Sequence, residues 1–181
     1  MNKPYILPDA WNLIEEGFNP AHVKSSESLF SIGNGAMGQR ANFEEFYSGP
    51  TFQGSYIGGI YYPDKTKVGW WKNGYPKSFA KVLNAPSWIG IHIRVNGQEL
   101  DLYTAKTVAF FRRELQMQKG LLKRSFEVTL QDQTKLKIES CRFLSLAQES
   151  LGAIKYKVTL LEGTASIEIK SFLDSGVKNE D

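Results

Sequence analysis

The chain has 181 residues, 41% hydrophobic and 23% charged, enough for one domain with an unstapled core and unlike collagen, low-complexity disorder or a disulfide scaffold. The 22 Lys and Arg against 19 Asp and Glu leave a net charge of +3, too small an excess to argue for a nucleic-acid partner. Cys141, the single cysteine, excludes an intrachain disulfide and fits a reducing compartment, and no apolar run reaches the length of a membrane span.

Pro4, Pro8 and Asp9 interrupt the segment where a signal peptide needs unbroken apolar residues, so a cytoplasmic location with no membrane partner is expected. Trp11, Ile14 and Phe18 sit at i, i+3 and i+7, which predicts a short helix that Gly17 weakens and Pro20 ends. Ala41 to Tyr47 has room for one more helical turn. Aromatics are 13% of the chain, and about half of them fall between Phe43 and Trp88, about a quarter of its length. Within that zone Pro63-Asp64 and Asn73-Gly74 are turn signals, and Tyr62 to Asn84 reads as a long excursion between strands.

The second half alternates cleanly. Ile89, Ile91, Ile93 and Val95 share one face of a strand, Asn96-Gly97 is a hairpin signal, and Gln98 to Leu102 returns. Phe126, Val128 and Leu130 share a face; after a turn at Gln131 to Gln133, so do Leu136, Ile138 and Ser140. Ile154, Tyr156, Val158 and Leu160 form the next strand, Glu162-Gly163 turns it, and Ile167 and Ile169 continue. Turns recur at roughly the 8–12-residue spacing of an antiparallel sandwich or barrel. The fold class expected is all-β. The end of the chain, from Ser171 to Asp181, stops abruptly, as in a piece of a longer protein.

Gly33-Asn34-Gly35-Ala36-Met37-Gly38 matches G-x-G-x-x-G in letters. Dinucleotide binding would need a following helix and a parallel βαβ unit. Neither pattern is present, so Gly33, Asn34, Gly35 and Gly38 are read as a structural glycine turn. Glu44-Glu45 is an adjacent acidic pair. Neighbours on a strand face opposite ways, so they cannot flank a sugar as the paired carboxylates of a glycosidase do, about 5–10 Å apart. One solvated and one hydrogen-bonded structural carboxylate is the expectation. His22 and His92 with one cysteine make no zinc signature, so no metal site is expected. Lys119, Lys123 and Arg124 read as a solvated edge, and Arg112-Arg113 likewise.

Trp70-Trp71-Lys72-Asn73-Gly74-Tyr75 is the strongest candidate for binding. Trp70, Trp71 and Tyr75 offer flat faces for sugar rings, and Lys72 and Asn73 can hold hydroxyls. The same aromatics suit packing on a neighbouring domain, and composition leaves both readings open.

The motifs then carry a resemblance. Glu27 to Gly35 (ESLFSIGNG), Gly38 to Glu45 (GQRANFEE), Ser55 to Tyr61 (SYIGGIY), Asn84 to Ile91 (NAPSWIGI), Arg113-Glu114-Leu115 with Lys119-Gly120, and Arg142 to Ser145 (RFLS) resemble, in order, the N-terminal domain of glycoside hydrolase family 65. The block Val68 to Pro76 with Lys81 to Pro86 is most similar to its maltose phosphorylase branch. The resemblance implies an antiparallel, galactose mutarotase-like β-super-sandwich spanning 1–181, cut from a longer bacterial enzyme whose catalytic (α/α)6 barrel is absent here. It implies no catalytic residue in this chain. The intact enzyme would convert maltose or a related α-glucoside disaccharide and inorganic phosphate into glucose and β-glucose 1-phosphate with inversion, without metal or organic cofactor. The domain would pack on its own barrel, support a homodimer and edge the sugar pocket, with Trp70, Trp71, Lys72, Asn73 and Tyr75 as contact candidates. A stand-alone carbohydrate-binding module or a protein-interaction domain built on the same aromatic loop are the alternatives.

Overall fold

The structure, a computed structural model, describes residues 4–66 and 76–179. In chain order the elements are β1 (Ile6–Pro8), β2 (Asn12–Glu16), a 3-10 turn (Pro20–His22), α1 (Val23–Leu29), β3 (Ile32–Gly33), β4 (Met37–Gln39), β5 (Ser55–Ile57), β6 (Tyr61–Lys65), β7 (Ser78–Val82), β8 (Ser87–Val95), β9 (Gln98–Glu99), β10 (Thr107–Gln116), β11 (Leu121–Thr129), β12 (Lys135–Leu144), β13 (Gly152–Leu160) and β14 (Ile167–Asp174). All pairings among them are antiparallel. The fold is all-β.

A six-stranded sheet runs β1-β2-β10-β11-β12-β13, and a three-stranded sheet, β14-β8-β9, faces it. Their inner faces share a core of Ile93, Val95, Phe126, Val128, Leu136 and Ile138, closed by Leu100, Leu102, Phe111 and Phe43. A small sheet, β3-β4-β5, lies toward the other end of the same inner face, over a second core of Phe30, Ile32, Ala41, Leu122 and Leu144. β6 and β7 pair with each other as a separate two-stranded ribbon.

The turn chemistry follows from the residues. Asn96 and Gly97 take φ of +50° and +78°, the mirror-image turn whose twist matches the flanking strands. At β10 the register with β11 shifts between Ala109 and Arg112, and Phe110 there adopts φ +51° with its side chain 79% exposed. That is a β-bulge holding a bulky residue in the left-handed region.

Three expectations are corrected. Residues 12–16 are the strand β2, not a helix: Arg113 and Glu114 of β10 pair with Glu15 and Ile14, and tertiary pairing overrides the weak helical spacing. The α-helix is Val23–Leu29 instead, entered through the Pro20–His22 turn, whose Asn19 cap accepts from the Ala21 N–H at 3.0 Å. Residues 41–47 are irregular, because their backbone serves other segments. The Ala41 N–H donates to Glu27 O (2.9 Å), and Glu44 O accepts from the Ile91 N–H (2.8 Å). The return after Asn96-Gly97 is shorter than expected: β9 is Gln98–Glu99, while Leu100 and Leu102 leave the ladder and are buried in the main core.

Candidate functional site

Between the two apolar cores the inner face of the large sheet is charged. Reading along β11 the buried positions are Leu122, Arg124, Phe126 and Val128; along β12 they are Leu136, Ile138, Ser140, Arg142 and Leu144. Register aligns Glu15, Arg113, Arg124, Ser140 and Tyr156 in one row across five strands. Like charges directly opposite each other, as Arg113 and Arg124 are, repel. The fold brings carboxylates to them.

Those carboxylates come from β2, α1 and the 41–47 segment. Arg124 Nη2 donates to both Glu45 oxygens (2.8 and 2.7 Å) and to Glu44. Arg142 Nη1 donates to Glu44 Oε1 (3.1 Å) and to Asn42 O (3.0 Å), and its Nη2 to Arg40 O (2.9 Å). The Tyr156 hydroxyl donates to Glu45 Oε1. Arg113 Nη1 lies 3.3 Å from Glu15 Oε2, and Glu15 Oε1 accepts from the Ser26 hydroxyl (2.8 Å). Glu27 accepts from the Thr51 hydroxyl and from the Phe52 N–H (2.6 Å). The guanidinium of Arg113 also sits 5.2 Å from the Phe43 ring centroid, and that of Arg124 4.9 Å from it.

Two expectations fall here. Glu44 and Glu45 are both buried, and both converge on Arg124, because the segment carrying them is not a strand and alternation does not apply. Arg113 and Arg124 are core residues rather than a solvated edge, whereas Lys119 and Lys123 are exposed. Arg112, one residue from Arg113, points to the other face and pairs with Glu16 (3.1 Å) and Glu114 (2.8 Å).

Burial would raise the Glu44 carboxyl, but Arg124 and Arg142 outweigh it and hold the group below its ordinary 4.5. Burial dominates at Glu27, whose pKa is raised. Desolvation pulls Arg113 down to about 10 against the opposing charge of Glu15. Stability drawn from Glu44 is therefore present above pH 4.5 and lost as pH falls through its lowered folded value. Glu27 works in the opposite direction: folding is favoured below 4.5, and that gain is lost as pH rises toward its raised value. Urea unfolding followed from acid to neutral pH should show Glu27→Gln gaining on the parent chain as neutrality is approached. A Glu44→Gln chain should lose the acid limb of the profile.

The Gly33–Gly38 segment is the hairpin between β3 and β4, with Gly33 opposite Gly38. Gly35 takes φ +91°. Asn34 Oδ1 accepts from the Ala36 and Met37 N–H groups (3.1 and 2.7 Å), and its Nδ2 donates to Ser145 O and Glu149 O (2.8 and 2.9 Å). The turn is thereby tied to the loop after β12. His92 Nδ1 lies 3.4 Å from Glu99 Oε1, and its ring packs edge-on against Phe46 and Phe172. Among the described residues no group of three or more His, Cys, Asp or Glu is placed to hold a metal ion. No helix among them is long and apolar enough to cross a membrane.

The long excursion after the glycine-rich region is the β6–β7 ribbon. Its large side chains are outside: Tyr61 is 54% exposed, Tyr62 56% and Phe79 48%, with Ile57, Ile60 and Val82 exposed beside them. By register Tyr61 and Val82 share one face of the ribbon and Tyr62 and Phe79 the other, so both faces carry exposed apolar side chains. Trp70, Trp71, Lys72, Asn73 and Tyr75, between its two strands in sequence, lie outside the described residues.

Residues 13–181 match the model of the glycosyl hydrolase family 65 N-terminal domain. The chain is 49% identical, over its full length, to the maltose phosphorylase of Bacillus subtilis (strain 168), of which it covers 24%. It is 32% identical to the alpha,alpha-trehalose phosphorylase of Thermoanaerobacter brockii, over 98% of this chain and 23% of that protein. A solved structure described as "Putative kojibiose phosphorylase from human microbiome" superposes with a TM-score of 0.72 at 31% identity, over 85% of this chain and 20% of that one. The chain thus spans about a quarter of the length of the curated relatives it matches. With a family model over nearly all of its length and an all-β fold shared with a solved relative, the chain belongs to the N-terminal domain of glycosyl hydrolase family 65.

Proposed function

We propose that this chain is the non-catalytic N-terminal domain, residues 1–181, of a cytoplasmic glycoside phosphorylase acting on maltose or a related α-glucoside. The observation that carries the reading is the projecting β6–β7 ribbon, with Tyr61, Tyr62 and Phe79 about half exposed, in a chain 49% identical to a maltose phosphorylase. In this reading the ribbon, together with Trp70, Trp71, Lys72, Asn73 and Tyr75, which fall between its strands in sequence, packs on the enzyme's own barrel and edges the sugar pocket. The domain also supports a homodimer. The chemistry belongs to the barrel. A carboxylic acid there protonates the leaving glycosidic oxygen while inorganic phosphate attacks the anomeric carbon from the opposite face. Phosphate takes the place of the water of an inverting hydrolase, and β-glucose 1-phosphate and glucose are released. No metal and no organic cofactor take part.

The test has two arms. The longer polypeptide should phosphorolyse maltose, and replacing Tyr62 and Phe79 by Ser should lower that rate at least about tenfold, equivalent to about 1.4 kcal/mol of lost interaction. The 181-residue chain alone should be inactive, with tryptophan fluorescence unchanged by maltose or glucose. Saturable quenching abolished by Trp71→Ala would instead favour a carbohydrate-binding module.

A further inference from the structure

We propose that the cavity at the root of the ribbon is a binding site for a small phosphorylated sugar. A cavity of about 400 Å³ opens there, walled by Arg40, Phe52, Gln53, Tyr56, Lys81 and Asn84. That volume is within the range of small-molecule sites.

Of the six arginines in the chain, five meet a carboxylate: Arg94 meets Glu99, Arg112 meets Glu16 and Glu114, Arg113 meets Glu15, Arg124 meets Glu44 and Glu45, and Arg142 meets Glu44. Arg40 meets none among the described residues. Its Nε donates to Phe52 O (2.9 Å), and its Nη2 to Lys24 O (3.3 Å) and to the Ser28 hydroxyl (2.7 Å), all neutral partners. Lys24, likewise without a carboxylate among the described residues, holds its Nζ 4.0 Å from the centroid of the same Phe52 ring that the Arg40 guanidinium approaches at 5.8 Å. Glu27, whose pKa burial raises, accepts from the Thr51 hydroxyl and the Phe52 N–H and makes no ion pair with either cation among the described residues. Arg40 thus lines the cavity and Lys24 meets the lining Phe52 ring, with no carboxylate paired to either among the described residues. A phosphate group supplies an anion, and guanidinium binds it through directed hydrogen bonds.

The remaining groups suit a sugar. The side chains of Gln53 and Tyr56 make no hydrogen bond among the described residues, and amide and phenol both pair with neutral hydroxyls. Gly54 lets Tyr56 share this space with Arg40. A Cβ at Gly54 would sit 2.3 Å from Arg40 Cδ and 2.5 Å from Tyr56 Oη. The far wall is fixed by the C-terminal segment: the Asn84 N–H donates to Asn179 Oδ1 (2.9 Å), and Asn179 Nδ2 donates to Val82 O (3.1 Å). Inorganic phosphate alone would leave most of such a cavity, and both neutral side chains, without a partner. The inference does not rest on the activity proposed above, because every residue it uses is in this chain.

The experiment is an amide and arginine side-chain NMR titration of the 181-residue chain with glucose 6-phosphate, glucose and inorganic phosphate. The expected result is saturable shifts at Gln53, Tyr56, Asn84 and the Arg40 Nε–H with glucose 6-phosphate, and none with glucose. Inorganic phosphate should bind at least about tenfold more weakly. Lys24→Ala and Gln53→Ala, both outside the buried network, should each weaken glucose 6-phosphate about tenfold. Absence of shifts at about 10 mM, shifts confined to other residues, or equal binding of inorganic phosphate with Gln53→Ala unaffected would each overturn it.

Discussion

Arg124→Ala should destabilise the fold by about 3–5 kcal/mol, the range for removing one partner of a buried ion pair. The variant leaves Glu44 and Glu45 inside the protein without the guanidinium that both contact. Arg112→Ala is the matched control. It lies one residue from Arg113 but faces solvent, and its pairs with Glu16 and Glu114 should contribute no more than about 1 kcal/mol. Denaturant midpoints of the two variants compare them directly. If the Arg124 cost arises from stranded charge, adding Glu44→Gln and Glu45→Gln to Arg124→Ala should recover part of it, a non-additivity that a mutant cycle reads out. A loss below about 1 kcal/mol for Arg124→Ala would mean the charged row is a bystander.

Phe30→Ala should cost a similar amount, about 3–5 kcal/mol, for a different reason. Phe30 is completely buried. It anchors the second core with Ile32, Ala41, Leu122 and Leu144, and its ring lies 5.8 Å from the Arg113 guanidinium. Removing it opens a cavity where the end of α1 meets the large sheet. Phe46→Ala, at a ring 42% exposed, should lose far less. Thermal melts of the two variants would separate them by many degrees, and equal melting would contradict the packing described for the second core.

The strands of the second half were legible because they bury what hydrophobic periodicity reports. Ile89, Ile93 and Val95, Phe126 and Val128, and Leu136 and Ile138 are inward on their strands and buried. The same alternation continues through Arg124 in phase with Phe126, through Arg142 in phase with Ser140, and through Arg113 in phase with Phe111. Phase alone could have placed these arginines inside. Reading them by residue type placed two of them at the surface. The helix was missed for the same physical reason: α1 buries Ser26 and Glu27 along with Val23, so its inward face is polar and shows no apolar stripe. In both places the expectation failed where the interior is charged, and a single sequence does not announce that an Arg in a strand has a Glu waiting some eighty positions earlier. The aromatic excursion was legible as composition, and the structure gave it form as a paired ribbon with its rings exposed.

The pairing of β2 with β10 has a bearing on how the chain is made. Arg112 and Glu16, which bond across that pair, are 96 positions apart, so the amino-terminal strand leaves the ribosome long before its neighbour exists. At elongation rates of about 5–20 residues per second, it waits several seconds or more with its edge unsatisfied. The hairpins β10–β11, β11–β12 and β12–β13 close over short spans and can form as they emerge. The early strands then dock onto a sheet already built, and that docking brings Glu15 to the Arg113 guanidinium laid out in advance. Refolding of the detached chain should therefore be slowest at its beginning, with the amides of β1 and β2 the last to gain protection from exchange.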